Sequence, residues 1–214
     1  MEKIGSQKIW SYFAARSTPI PSKAHTIRAG PGRLVTTYFE LATKVAELQF
    51  RNREYVLLFR GQRKDYKTTQ KNSTLKPSLF RLDGRKPPSD AVLQQRFEVL
   101  RNAEEHLIQK YVAQGLPDSL RLKRQRVIRW AILQHYEVCA TPLLDVSQSL
   151  RIAASIGTHN NDTDEAFVFV LGVPNLSGAI TASSEGSLQI IRLSSACPPS
   201  AVRPHIQEGY LLGE

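Results

Sequence analysis

The run Val56-Leu57-Leu58-Phe59-Arg60-Gly61-Gln62 takes an apolar segment straight into an arginine backed by a glycine. It constrains the chain more than any other stretch. Four consecutive β-prone residues suit a buried strand. The planar fork of Arg60 matches paired phosphate oxygens, and Gly61, lacking a side chain, would let a ligand approach the backbone. An arginine that only pairs with a carboxylate at the core edge would look the same, so the run alone leaves both roles open.

Length and charge narrow the class. A chain of 214 residues can bury a substantial core and falls in the single-domain range. No segment approaches the ~18 uninterrupted apolar residues of a membrane span, and Met1-Glu2-Lys3-Ile4-Gly5 lacks a signal-peptide run. A cytoplasmic protein with no membrane partner is expected. The two cysteines, Cys139 and Cys197, have no metal-ligand spacing and read as reduced structural thiols, so no metal is expected. Residues 1–129 hold 26 Lys/Arg against 11 Asp/Glu, whereas residues 130–214 hold three against eight. The basic part would attract polyanions, above all nucleic acid. A solvated basic surface, or one that docks an acidic inhibitory protein, would give the same composition.

The expected organisation is α+β. Residues 6–16 read as a short helix, and the Pro/Gly-rich stretch from Ser17 to Gly32 as a loop, so residues 1–35 form an N-terminal appendage to a domain over 36–214. Thr36 to Arg51 reads as an amphipathic helix with Phe39, Ala42, Ala46 and Phe50 on its packed face. A break at 84–88 precedes a helix capped by Asp90, bearing Leu93, Phe97, Leu100, Leu107 and Tyr111 and stopping at Gly115. Asp118 is expected to cap one further helix to about Tyr136. That helix would turn Val127, Ile128, Ala131 and Ile132 inward and lay Arg121, Lys123, Arg124, Arg126 and Arg129 along a phosphate backbone. Short strands are expected near 141–147, 166–171, 188–193 and 207–212, with a helix at 149–156.

Several short motifs occur in order: Phe59-Arg60-Gly61, then Leu75-Lys76-Pro77-Ser78-Leu79-Phe80-Arg81, Gln134-His135-Tyr136, Thr141-Pro142-Leu143-Leu144-Asp145-Val146-Ser147 and Arg203-Pro204-His205-Ile206-Gln207-Glu208-Gly209-Tyr210. Together they resemble the FRG domain, named for its Phe-Arg-Gly motif, over about residues 36–212. Two departures stand out. Glu137 to Ala140 replaces a shorter glycine-containing link after His-Tyr, and Val146 stands where a tryptophan is common.

FRG-like sequences in turn resemble ADP-ribosyltransferases, which implies a small split β-sheet core with N-terminal and inserted helices, and NAD as substrate. On that resemblance Arg60 would bind the pyrophosphate, Gly61 would admit the nicotinamide amide to the backbone, and Gln62 would belong to the NAD-binding set. Ser147 would orient the arginine and ribose, with Asp145 beside it on the same strand face. His135 and Tyr136 would contribute to the pocket. Cleavage of the glycosidic bond develops a ribosyl cation, which calls for a carboxylate near the ribose. Glu208 is the candidate, unless it faces solvent and leaves Gln207 to position the ribose.

The expected activity is NAD-dependent ADP-ribosylation by a bacterial toxin or anti-phage effector. Single-stranded RNA is favoured over DNA as acceptor, and an acidic antitoxin or immunity protein is a further expected partner. A non-catalytic nucleic-acid- or nucleotide-binding module, or a transferase acting on protein, are the alternatives.

Overall fold

The computed structural model describes residues 8–82, 86–174, 176–183, 188–198 and 200–213. In chain order its elements are β1 (Lys8–Ser11), β2 (Ile20–Lys23), α1 (Ala24–Ala29), α2 (Tyr38–Arg51), β3 (Val56–Gln62), a 3-10 turn at Ser78–Phe80, α3 (Asp90–Ala113), α4 (Ser119–Arg124), α5 (Arg126–His135), β4 (Leu144–Ser147), α6 (Leu150–Thr158), β5 (Phe167–Val173), β6 (Ile180–Ser183), β7 (Leu188–Arg192), α7 (Leu193–Ala196), α8 (Val202–Ile206) and β8 (Gly209–Gly213). The class is α+β. None of the described helices is long and apolar enough to cross a membrane.

The chain divides into two compact units, one of residues 1–75, 147–176 and 183–188, the other of residues 76–146, 177–182 and 189–214. The first is built on β3. Its seven residues pair antiparallel with β5, from Val56 opposite Val173 to Gln62 opposite Phe167, and Phe59 also pairs with Ser147. Leu57 and Phe59 pack with Val45 and Leu48 of α2, Ala153 of α6 and Tyr12. Thr37 starts α2 by accepting the Glu40 N–H at 3.1 Å, while the Glu40 carboxylate takes the N–H of Thr36, which satisfies donors that a helix start leaves over. The packed stripe of α2 is Leu41, Val45 and Leu48. Phe39 and Phe50, expected on that face, are 81% and 65% exposed.

The expected N-terminal helix is instead the strand β1, and the stretch expected as a loop from Ser17 to Gly32 holds its hairpin partner β2 and the helix α1; Trp10 pairs with Pro21. Two-stranded ribbons tolerate proline because each strand keeps an open edge. Buried Asn52 at the end of α2 fixes the hairpin by accepting the Trp10 N–H at 2.8 Å and donating to the Trp10 carbonyl at 3.1 Å, bonds worth about 1 kcal/mol each. Residues 6 and 7 of the expected helix, and 84 and 85 of the expected break, lie outside the described residues.

In the second unit β4, β8, β7 and β6 neighbour one another in that order. β7 and β8 are antiparallel, with Ile191 opposite Leu211. Their buried face packs with Ile128, Ala131, Ile132, Leu122 and Tyr111, and a second cluster joins Leu79, Leu100 and Leu133. Ser89, not Asp90, caps α3 through its hydroxyl. The expected continuous helix from Asp118 is broken at Gln125 into α4 and α5. Asp118 precedes it in a left-handed conformation, φ 61°, with no capping bond from its side chain.

Candidate functional site

Strand alternation settles where the residues of β3 project. Leu57, Phe59 and Gly61 face α2 and α6, so Leu58, Arg60 and Gln62 face the other way. The register brings Phe169 directly opposite Arg60 and Phe167 opposite Gln62. Arg60 is therefore half-buried on a strand face that also carries two aromatic side chains. The Oε1 of Gln62 is buried and accepts no hydrogen bond.

Gly61 has a different job from the one its sequence suggests. A Cβ there would stand 1.8 Å from the Ala153 carbonyl oxygen and 2.7 Å from the Gly157 nitrogen. The space a ligand was expected to use is filled by the backbone of α6. Ser147, paired with Phe59, shares that residue's face and not the face of Arg60. Its hydroxyl accepts the Ser149 N–H at 2.9 Å, a local bond that helps turn the chain into α6.

In the second unit the remaining motifs are tied together by hydrogen bonds. The Gln134 amide donates to Asp145 at 2.6 Å and accepts from the hydroxyls of Thr141 at 2.6 Å and Ser78 at 3.2 Å. The Thr141 N–H donates to the Ser78 hydroxyl at 3.0 Å, and the Leu79 N–H to the Thr141 carbonyl at 3.1 Å. Thr141 is wholly buried, and such a network loses more than one bond when a member is removed. Arg203 pairs with Glu137 at 3.1 Å, which links the last motif to the segment after Tyr136. Asp145 is thus engaged in holding three chain segments in register.

His135 is 4% exposed, stands edge-on to the Tyr136 ring, and its buried Nε2 has no hydrogen-bond partner. Burial, reinforced by the Arg203 charge and opposed by Glu137, holds its pKa below the ordinary histidine value. It is a neutral imidazole at pH 7. Tyr136 is 44% exposed.

Gln207 and Glu208 form the turn between α8 and β8. Glu208 has φ 44° and is exposed, Gln207 is half-buried, and the strand begins only at Gly209. Strand alternation therefore does not govern which way either side chain points. Gly209 itself lies against Leu193, whose Cδ1 would be 2.7 Å from an added Cβ.

The five basic residues expected to form a nucleic-acid face are not equivalent. Buried Glu104 of α3 accepts from the Arg126 Nε at 2.9 Å, the Arg129 Nε at 2.8 Å and the Trp130 indole at 2.8 Å. Burial pushes the Glu104 pKa up, but the bonds from Trp130, Arg129 and Arg126 more than offset it, so the carboxylate titrates below its ordinary value. Arg129, 12% exposed, also donates to the carbonyls of Leu122 and Lys123. It closes the gap between α4 and α5 and does not project to solvent as expected. Arg121 is half-buried and donates to the Ser195 carbonyl at 3.3 Å. Lys123 and Arg124 are exposed, and Arg126 is about half-exposed above Glu104.

A family model for the FRG domain matches residues 55–166, from the start of β3 to the start of β5, just over half of the chain. The chain belongs to the FRG-domain family. No curated protein and no solved structure matches it. The match contains the Phe-Arg-Gly strand, the Ser78 segment, Gln134-His135-Tyr136 and Thr141 to Ser147, and it ends before Gln207 and Glu208.

Two elements of this FRG domain were missed by sequence reasoning. The Glu104 hub joins residues 22 to 26 positions apart, with no local pattern to announce it. The pairing of Phe169 with Arg60 is a matter of register, although the alternation Phe167-Val168-Phe169 marks one aromatic strand face. Cys139 is half-buried and Cys197 buried. Burial pushes the Cys197 thiol up to about 11, which keeps it protonated and unreactive at neutral pH.

Proposed function

We propose that this FRG domain is an NAD-consuming ADP-ribosyltransferase of the toxin or anti-phage effector kind, acting on nucleic acid and on single-stranded RNA in preference to DNA. The observation that carries the reading is Arg60, half-buried at the end of a strand fixed by seven consecutive cross-strand pairs. The pairing fixes the direction in which the Arg60 side chain leaves the strand, and the planar fork of a guanidinium matches the paired oxygens of a pyrophosphate.

In the proposed reaction the bond between ribose C1′ and the nicotinamide nitrogen breaks, and its electron pair leaves with nicotinamide. The ribose carries the positive charge. A lone pair on an acceptor amine or hydroxyl forms the new bond to C1′, and the acceptor's proton passes to a base or to water. Stabilising that developing charge is where a carboxylate contributes most. Glu208, with Gln207 beside it, is carried into this role by motif order alone. The cytoplasm, where NAD and RNA are both abundant, is the compartment the proposal implies, and an acidic neutralising partner would fit the basic part of the chain.

The exposed, left-handed turn at Glu208 and the use of the Ser147 hydroxyl at the start of α6 favour one other reading, a module that binds nucleotide or nucleic acid without turnover. The deciding experiment follows nicotinamide release from NAD, with label transfer into RNA, single-stranded DNA and protein, for the wild type and for Arg60→Ala and Glu208→Ala. Release that depends on Arg60, with label in RNA, supports the transferase. A folded protein that binds RNA but releases nothing supports the module.

A further inference from the structure

A second feature of the first unit lies just beyond Arg60 on the same strand. Where β3 ends and β5 begins, a cleft of about 640 Å³ is lined by Arg63, Lys64, Asp65 and Lys67 after β3 and by Asp164, Glu165 and Phe167 at the entry to β5, with the cations on the first segment and two of the three carboxylates on the second. The segment that follows β3 is braced. Ser73 donates its hydroxyl to Asp65 at 2.7 Å and its N–H to the Arg28 carbonyl at 2.8 Å, Arg28 returns a bond to the Ser73 carbonyl, and the Thr74 N–H reaches the Tyr66 carbonyl.

This loop presents its cations without spending them. Arg63 and Lys64 are exposed, and Lys67 makes only a longer 3.5 Å contact to Asp65 while staying 43% exposed. Asp65 is the opposite case. Its side chain is 9% exposed, one oxygen is held by Ser73, and the other is buried with no hydrogen-bond partner. A buried carboxylate oxygen lacking a donor is costly and is suited to a ligand hydroxyl or exocyclic amine. Phe167 adds an aromatic wall.

We propose that this cleft binds a nucleotide unit of a single-stranded nucleic acid, the acceptor of the proposed reaction. Backbone phosphates lie against Arg63, Lys64 and Lys67, an unpaired base stacks on Phe167, and Asp65 accepts from a ribose hydroxyl or base amine. Cations, a π-face and a carboxylate acceptor in one concavity are what an unstacked nucleotide needs. A paired base offers neither its face nor its Watson–Crick edge, so duplexes are excluded. The assignment deepens the nucleic-acid part of the proposed function and moves its main contact from α4 and α5, where Glu104 already holds Arg126 and Arg129, to the loop after β3. Gln62, opposite Phe167, follows Arg60 by two residues on one strand face, so the acceptor enters beside the pyrophosphate anchor.

The test is fluorescence anisotropy of the full chain with a labelled single-stranded RNA of about a dozen nucleotides, without NAD, for the wild type, Arg63→Ala/Lys64→Ala, Asp65→Asn, Phe167→Leu and Lys123→Ala/Arg124→Ala. Melting curves check each fold. The Arg63/Lys64 variant is expected to weaken binding and flatten its salt dependence by about 1.4 logarithmic units per decade of salt. Phe167→Leu should weaken it roughly tenfold with the salt slope kept, and Asp65→Asn should change base preference. The Lys123/Arg124 variant should bind nearly as the wild type does, and a duplex of the same sequence should compete poorly. Wild-type RNA affinity in a folded Arg63/Lys64 variant, with loss in the Lys123/Arg124 variant, overturns the assignment. So does displacement of the RNA by NAD in a separate titration, which would make the cleft the donor's. Because the assay contains no NAD and needs no turnover, absence of transferase activity would leave its result intact.

Discussion

Gly61 packs against Ala153 so closely that a Cβ added to the glycine would stand 1.8 Å from the alanine's carbonyl oxygen. The contact is asymmetric. A Cβ on Gly157, on the other side of the same interface, would meet the Gln62 nitrogen at 3.4 Å and the Gly61 Cα at 3.5 Å, ordinary packing distances. The glycine of the family's signature motif is explained by helix packing.

Gly61→Ala should therefore force β3 and α6 apart and cost about 3 kcal/mol, the upper range for overpacking a core. Gly157→Ala should change stability by less than about 1 kcal/mol, because it also removes a glycine from a helix. Urea denaturation of the two variants checks this. Equal effects would contradict the one-sided contact.

Glu104→Gln should destabilise the protein by about 3 kcal/mol, since it leaves the mostly buried Arg129 beside a neutral amide, while the half-exposed Arg126 can turn to water. The sign of the pH effect follows from the lowered pKa of Glu104. Its contribution is fully present above the ordinary glutamate value of 4.5 and is lost as pH falls through the lower folded value. The wild-type melting temperature should fall below pH 4.5 more steeply than that of Glu104→Gln, a comparison open to calorimetry.

His135 acts in a separate window. Its folded pKa lies below 6.5 because burial disfavours the imidazolium. As pH falls from 6.5 the unfolded chain takes up a proton that the folded protein refuses, so stability declines until the folded pKa is passed. His135→Phe, which keeps an aromatic ring in the site, should flatten that decline below pH 6.5 while leaving the Glu104 limb in place.

Gln134→Ala should cost about 1–3 kcal/mol by removing the partner of Asp145, Thr141 and Ser78 at once. Thr141→Val should cost more than the sum implied by treating its side-chain bonds separately, because removing one member weakens the rest of the shared network. A double-mutant cycle measured by chemical denaturation gives the coupling directly.

Much of this was written locally in the chain. The stripe Leu93, Phe97, Leu100, Leu107 and Tyr111 packs as the spacing of α3 implies, and β3, β5 and β7 lie within a residue or two of the apolar runs that announced them. The failures have specific causes. In α2 two stripes satisfy the 3.6-residue period, and the aliphatic one won over the stripe carrying Phe39 and Phe50. Pro19 and Pro21 read as loop signals, yet a two-stranded ribbon needs no ladder bond from Pro21. Nothing in Arg124-Gln125-Arg126 marks a helix break, because it is set by Arg129 reaching back to the Leu122 and Lys123 carbonyls. The candidate site was legible in its residue types and not in their directions. Glu208 precedes the strand whose alternation was meant to aim it, and the face of Ser147 is fixed by its register with Phe59.

The most direct test of the central claim, that Arg60 anchors NAD for transfer, is nicotinamide release at NAD well below its KM with RNA present, wild type against Arg60→Ala, with matched melting curves. Release by the wild type that falls at least about a hundredfold in a folded Arg60→Ala, the scale of a lost charged contact to the reacting substrate, is the expected result. Undiminished release in Arg60→Ala, or none from a folded wild type with any acceptor, would contradict it.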